Sequence, residues 1–154
     1  TETAFETLAK AKALEAKGYE CIGVEANIEV VNWLRQNLQL NVHQGIFPEI
    51  SLPKANLFLS FDVLEHSMDP IGFINGVSQH LAAGGVAIIQ TAIDRYDQAP
   101  PFGEQFEKIF DDVEHTYIYT DDAIRQLIVK TDLQLISLDH RTSLAGEIIV
   151  IKKP

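Results

Sequence analysis

Two short stretches of the sequence hold side chains whose types and spacing could do chemistry. The first ends at Glu25, which closes the mostly apolar run Tyr19-Glu20-Cys21-Ile22-Gly23-Val24-Glu25. A carboxylate offers two acceptor oxygens in one plane, so an acid ending the second strand of a nucleotide-binding half can take both hydrogen bonds of a ribose diol. An acid at a strand end is also often nothing more than a solvated residue. The second stretch is Phe61-Asp62-Val63-Leu64-Glu65-His66-Ser67-Met68-Asp69-Pro70, which leaves a strongly apolar segment. Asp62, Glu65 and His66 put two carboxylates and an imidazole within five residues. Such a set could position an ammonium group, act as acid or base, or hold a divalent cation. The plainer alternative is that Glu65 and His66 are polar residues closing the turn into the next helix.

The elements around these stretches alternate. Thr3 and Glu6 have capping-box spacing, Phe5, Leu8, Ala9, Leu14 and Ala16 form an apolar stripe, and Gly18 suits a helix end, so a first helix is expected before the strand Tyr19–Glu25. A helix over Ile28–Leu38 follows, with Val31, Leu34 and Leu38 on one face. Strands are expected at Asn41–Gln44, Asn56–Asp62 and Gly85–Thr91. Between the last two, Asp69-Pro70 supplies an N-cap and an N1 proline for a helix carrying Ile74, Val77 and Leu81, closed by Gly84-Gly85. After a long connection, Ala92 to Tyr119, with Pro100-Pro101, Gly103 and an expected short helix over Glu104–Phe110, Thr120 caps a helix bearing Ile124, Leu127 and Ile128. Strands Leu133–Asp139 and Gly146–Lys152 end the chain, joined by turn residues Arg141–Ala145 that suit a hairpin. This order predicts an α/β sheet that is mainly parallel, with an antiparallel C-terminal pair. Ligands of such sheets bind at the carboxyl ends of the strands, where Glu25 and the 61–66 run are expected.

Composition narrows the partners. At 154 residues the chain is expected to form one domain, residues 1–154. Twelve Lys and Arg against 22 Asp and Glu give a formal charge of -10, a sign that repels phosphate backbones, so no nucleic-acid partner is expected. The single Cys21 excludes an intramolecular disulfide and a multi-cysteine zinc site, and within its apolar run it is expected to be a buried, inert thiol. No apolar run reaches the roughly 20 residues of a membrane span, and the start at Thr1 lacks the features of a secretory signal. A cytoplasmic location is the expectation. The oligomeric state has no reading in the sequence.

Four stretches carry a resemblance: GYECIGVEAN at Gly18–Asn27, LFLSFDVLEHSMDPIGFI at Leu57–Ile74, LAAGGVAIIQT at Leu81–Thr91, and HTYIYTDDAIRQLI at His115–Ile128. In order and spacing they resemble the class I S-adenosylmethionine-dependent methyltransferases, in particular small-molecule enzymes related to the ubiquinone-biosynthesis O-methyltransferases. The resemblance implies a Rossmann-like methyltransferase sheet, S-adenosylmethionine as methyl donor and a small-molecule acceptor. It implies that Glu25 holds the ribose hydroxyls, that Ala26 lies along the adenosine, and that Gln44, Gly45 and Ile46 border adenine. Phe61, Asp62 and Val63 would line the methionine side, with His66 facing the acceptor cavity as a pocket-lining or structural residue, or as a base where the acceptor must lose a proton. Residues 92–119 would form a lid, its Tyr96, Phe102, Phe106 and Phe110 covering an apolar substrate; an ordinary surface excursion is the alternative. An Asp62, Glu65 and His66 metal site, as some relatives use, is a further and weaker expectation.

The departures are informative. Many relatives place an acid where Gly45 stands, so backbone groups or Gln44 would have to meet the adenine amine. None of the nine glycines forms the family's Gly-x-Gly loop, so that loop and the first strand are expected to lie upstream of Thr1, in an N-terminally incomplete sequence. Two competing readings use the same residues: an NAD(P)-dependent oxidoreductase, which shares the acid at the second strand, and a methyltransferase-like subunit that binds without catalysing.

Overall fold

In the computed structural model the chain is described at residues 10–91, 116–117, 119–139 and 147–154. Of the expected lid over 92–119, residues 92–115 and 118, with Tyr96, Phe102, Phe106, Phe110 and the short helix over 104–110, lie outside these residues, as do the start of the first helix and the 140–146 turn. The chain divides into two compact units, Thr1–Ser51 and Leu52–Pro154.

The first unit contains helical residues 10–15 (α1), β1 (Gly23–Glu25), α2 (Ile28–Leu38) and β2 (Val42–Gln44). Helix α2 has the bounds expected of it because both ends are capped. Asn27 Oδ1 accepts from Glu29 N at the start, and Gln39 takes the left-handed conformation at the end, with φ 53°. Its apolar face buries Val31 and Leu34 with Leu40 and Val42, and Ala11 and Leu38 pack against them. Strands β1 and β2 run parallel, with Gly23, Val24 and Glu25 opposite Val42, His43 and Gln44. The strand expected over Tyr19–Glu25 is therefore shorter: its partner is only three residues long, and Tyr19 is exposed. Cys21 is half-buried, with Sγ 3.8 Å from the Ala11 carbonyl. It is thus less buried than expected, and burial and then the Glu15 charge push its thiol up.

The second unit is a four-stranded sheet in the order β3-β4-β6-β5: β3 Ala55–Phe61, β4 Leu81–Thr91, β5 Gln134–Asp139 and β6 Glu147–Lys152. β3 and β4 are parallel and β5–β6 is antiparallel, as the C-terminal pattern predicts; β4 and β6 are also antiparallel. Helices α3 (Pro70–His80) and α4 (Asp121–Val129) bury Phe73, Ile74, Val77, Ile124 and Ile128. Phe73 meets Phe58 of β3 edge-on, and Ala87, Ile89, Ile149 and Ile151 are the buried residues of the central strands. Asp69 and Thr120 cap these helices as expected, accepting from Gly72 N and Ala123 N.

Leu81, expected on the helix, instead begins β4, opposite Ala55. Two steps along β3, from Ala55 to Leu57, match five along β4, from Leu81 to Val86, and the surplus is taken up around Gly84, whose φ is +78°. Beside it, a Cβ on Gly85 would lie 2.8 Å from the Ala82 carbonyl oxygen, so backbone packing requires glycine there. Lys153 closes this end: it exchanges backbone hydrogen bonds with Gly84 and Gly85, and its Nζ donates to the Ser78 carbonyl at 2.7 Å and lies 3.6 Å from Asp132 Oδ2. No described helix is long and apolar enough to cross a membrane.

Candidate active site

At the end of β1 the chain turns at once into α2, and the turn is held by the acid itself. The Asn27 N–H donates to Glu25 Oε1 at 2.7 Å, which fixes the carboxylate while its other oxygen has no hydrogen-bond partner among the described residues. The neighbouring strand is tied in twice. Gly45 N donates to the Glu25 carbonyl at 3.0 Å, and Gln44 Nε2 donates to the Ala26 carbonyl at 3.3 Å. Glu25, Ala26, Gln44 and Gly45, singled out separately in the sequence, are thus one cluster at the carboxyl ends of β1 and β2. Ile46 follows, 60% exposed.

The structure gives a reason for Gly45. A Cβ there would come within 2.8 Å of Ile50 Cδ1 and 3.1 Å of Ile50 Cβ, because the 46–50 turn folds Ile50 over the backbone. A larger residue, acidic or not, meets that side chain first. Sequence reasoning missed Asn27, whose N–H orients the carboxylate and whose side chain caps α2; the signal available was its place as the last polar residue before an apolar-periodic run.

The end of β3 is built differently. Asp62 has φ +50°, a left-handed conformation that non-glycine residues rarely adopt. The conformation is held by Gln90: Asp62 N donates to the Gln90 carbonyl at 3.1 Å, and Gln90 Nε2 reaches Asp62 Oδ1 at 3.4 Å. A 3-10 turn, Leu64–His66, follows, with His66 N bonded to the Val63 carbonyl. Phe61, Asp62 and His66 are half-buried and Val63 is exposed, so this group also forms one cluster at a strand's carboxyl end.

Glu65 does not join it. The side chain is 1% exposed and Oε2 accepts from Thr91 Oγ1 at 2.8 Å, so the carboxylate is committed to the interior. The expected Asp62, Glu65 and His66 metal set is corrected accordingly, and among the described residues no group of three or more His, Cys, Asp or Glu is arranged to hold an ion. Tyr119 is buried beside this turn and donates to the Leu64 carbonyl at 3.1 Å. Burial, with the Glu65 charge adding to it, pushes its phenol well above the usual range, so the hydroxyl stays a donor.

Comparison with known proteins decides the family. The profile of a family described as a methyltransferase domain matches residues 9–138. The chain belongs to this methyltransferase domain family. No curated protein sequence matches it significantly. Among solved structures, the methyltransferase domain is similar to an O-methyltransferase family 2 protein from Planctomyces limnophilus in complex with apigenin, at 20% identity and TM-score 0.69, covering 86% of this chain and 42% of that one. It is similar to a mitomycin 7-O-methyltransferase at 14% identity and TM-score 0.70, covering 90% and 43%. It is also similar to a protein described as a pericyclic reaction enzyme, at 14% and TM-score 0.71, covering 96% and 41%. At these identities the likeness is one of fold, and the methyltransferase domain spans less than half the length of each of the three.

Proposed function

We propose that this methyltransferase domain binds S-adenosylmethionine and supports transfer of its methyl group to a small-molecule acceptor. The observation that carries the reading is Glu25: a carboxylate at the carboxyl end of a parallel strand, oriented by the Asn27 N–H through one oxygen, with the other open. Oε1 keeps a second lone pair beside the Asn27 N–H, so both oxygens can still accept, which fits the two acceptor positions in one plane that a ribose diol needs. The family match from 9 to 138 supports the same donor, runs across the division at Ser51, and favours reading 1–154 as one domain. It also weighs against a nicotinamide-dependent oxidoreductase.

In this reading Glu25 holds the ribose hydroxyls, Ala26 runs along the adenosine, and Gln44, Gly45 and Ile46 border the adenine. Phe61, Asp62 and Val63 line the methionine end, and the Asp62 carboxylate, held by Gln90, takes the ammonium group. The donor supplies an electron-poor sulfonium methyl, so the protein's task is to orient an acceptor in line with it and exclude water. A base is required only where the acceptor must lose a proton, and His66 is the residue we assign to that step. The DVLEH run favours a kinship with ubiquinone-biosynthesis enzymes, and we read the protein as cytoplasmic. Titration of the full-length protein with S-adenosylhomocysteine and with NADH tests the proposal: binding of the first alone is expected, and binding of NADH alone overturns it.

A further inference from the structure

The 3-10 turn Leu64–His66 joins stretches of chain that are far apart in sequence. Glu65 Oε2 accepts from Thr91 Oγ1 at 2.8 Å, and Thr91, the last residue of β4, is fully buried. The Glu65 carbonyl accepts from Thr116 N at 2.9 Å and from Tyr117 N at 3.1 Å. Next to it, the Leu64 carbonyl accepts from the Tyr119 hydroxyl at 3.1 Å, and Tyr117 stacks on Tyr119 with ring centroids 6.0 Å apart. One residue therefore receives both the end of β4 and the backbone of Thr116 and Tyr117. Burying a carboxyl is costly unless it is well bonded, and an apolar residue of similar size would fill the space without that cost. What an apolar residue would not supply is an acceptor for Thr91 at a fixed place.

The same turn carries the residues read above as the methionine-side wall and the acceptor-facing imidazole. Asp62 and Gln90 sit one residue before Val63 and Thr91 respectively, and their own two hydrogen bonds run alongside the Glu65–Thr91 bond. Glu65 and Thr91 thus form the inner rung, and Asp62 and Gln90 the outer rung, of one cross-tie between the end of β3 and the end of β4. The left-handed backbone of Asp62 persists only if its surroundings over-determine it, and the inner rung is the buried part of those surroundings.

We propose that Glu65 is a positioning residue: its carboxyl, tied to Thr91, and its carbonyl, tied to Thr116 and Tyr117, hold the turn that presents Asp62, Val63 and His66. The proposal rests on the reading of those residues as part of the cofactor site, and its test is chosen so that the two fail separately. In the full-length protein, Thr91→Val removes the hydroxyl at nearly constant shape, whereas Thr91→Ser keeps it. Amide hydrogen exchange without ligand is the first measurement. Thr91→Val is expected to speed exchange roughly tenfold at 62–66 and 116–117 while sparing the amides of α4, and Thr91→Ser to restore protection. Titration with S-adenosylhomocysteine, at a temperature where every variant is folded, is the second. A loss of roughly fivefold in affinity is expected for Thr91→Val, with recovery in Thr91→Ser. A lowered melting temperature with unchanged local exchange and unchanged affinity overturns the proposal, as does equal loss in both variants. If the parent protein fails to bind S-adenosylhomocysteine, the cofactor reading falls and the exchange result alone decides the role of Glu65.

Discussion

Glu25 and Glu65 both stand at or just beyond the carboxyl end of a parallel strand, and in sequence both are acids beside apolar runs. Glu25 is half-exposed, and one of its oxygens takes the Asn27 N–H while the other stays open. Glu65 is 1% exposed, and its carboxylate is bonded to Thr91 inside the unit. In the proposed reading the first receives a ligand, and the second holds the turn that carries Asp62, Val63 and His66. The donors around each acid, rather than the acid itself, separate the two roles.

The largest expected effect breaks the first half of that contrast. Glu25→Ala should weaken binding of S-adenosylhomocysteine by about 1.5–3 kcal/mol, roughly 10- to 150-fold in Kd. Calorimetry on the full-length protein measures it, and an unchanged Kd would remove Glu25 from the site. Stability should fall by no more than about 1 kcal/mol, because water can replace the exposed carboxylate as acceptor for the Asn27 N–H.

Thr91→Val probes the second half and should do the converse. Leaving the buried Glu65 carboxyl without its hydroxyl donor is expected to cost about 1–3 kcal/mol of folding stability, read as a lower denaturant midpoint. A midpoint equal to the parent's would show that the 2.8 Å bond contributes nothing net.

A smaller effect sharpens the description of the β2 end. Gly45→Ala should destabilise by about 1 kcal/mol through its clash with Ile50. In an Ile50→Ala background the same change should be nearly neutral, a coupling that a double-mutant cycle detects. Additivity of the two substitutions would mean that Ile50 is not what excludes a side chain there.

The smallest effect concerns Asp62. Asp62→Gly relieves the left-handed backbone and loses only a long 3.4 Å bond to Gln90, so stability should stay within about 0.5 kcal/mol of the parent. Chemical denaturation of Asp62→Gly beside Asp62→Val, which should be clearly less stable, separates backbone strain from side-chain contact.

Much of the scaffold was legible because it is written locally. Asp69-Pro70 and Thr120 each lie within three residues of the amide they cap, so the starts of α3 and α4 follow from spacing. The pairing of strands is not local. Tyr19 to Ile22 have strand character but no strand partner among the described residues, since β2 offers three residues, and Leu81 leaves the helical pattern because Ala55, far away in sequence, pairs with it. The candidate site divides in the same way. The strand-end positions of Glu25 and Asp62 could be read from the alternation of elements. The inward turn of Glu65 depends on Thr91, 26 residues on, and the preference for glycine at 45 depends on how the next turn folds back.

The strand order of the second unit bears on how the chain is made. β6 lies between β4 and β5, and among the described strands it is the one that β5 pairs with, so β5 leaves the ribosome before its partner is made. Only when residues 147–152 emerge can β4 and β5 be bridged, and with them the backbone bonds of Lys153 to Gly84 and Gly85. During synthesis the apolar residues of β4 and β5 must therefore wait for the last strand, a window in which their open edges are exposed to other chains.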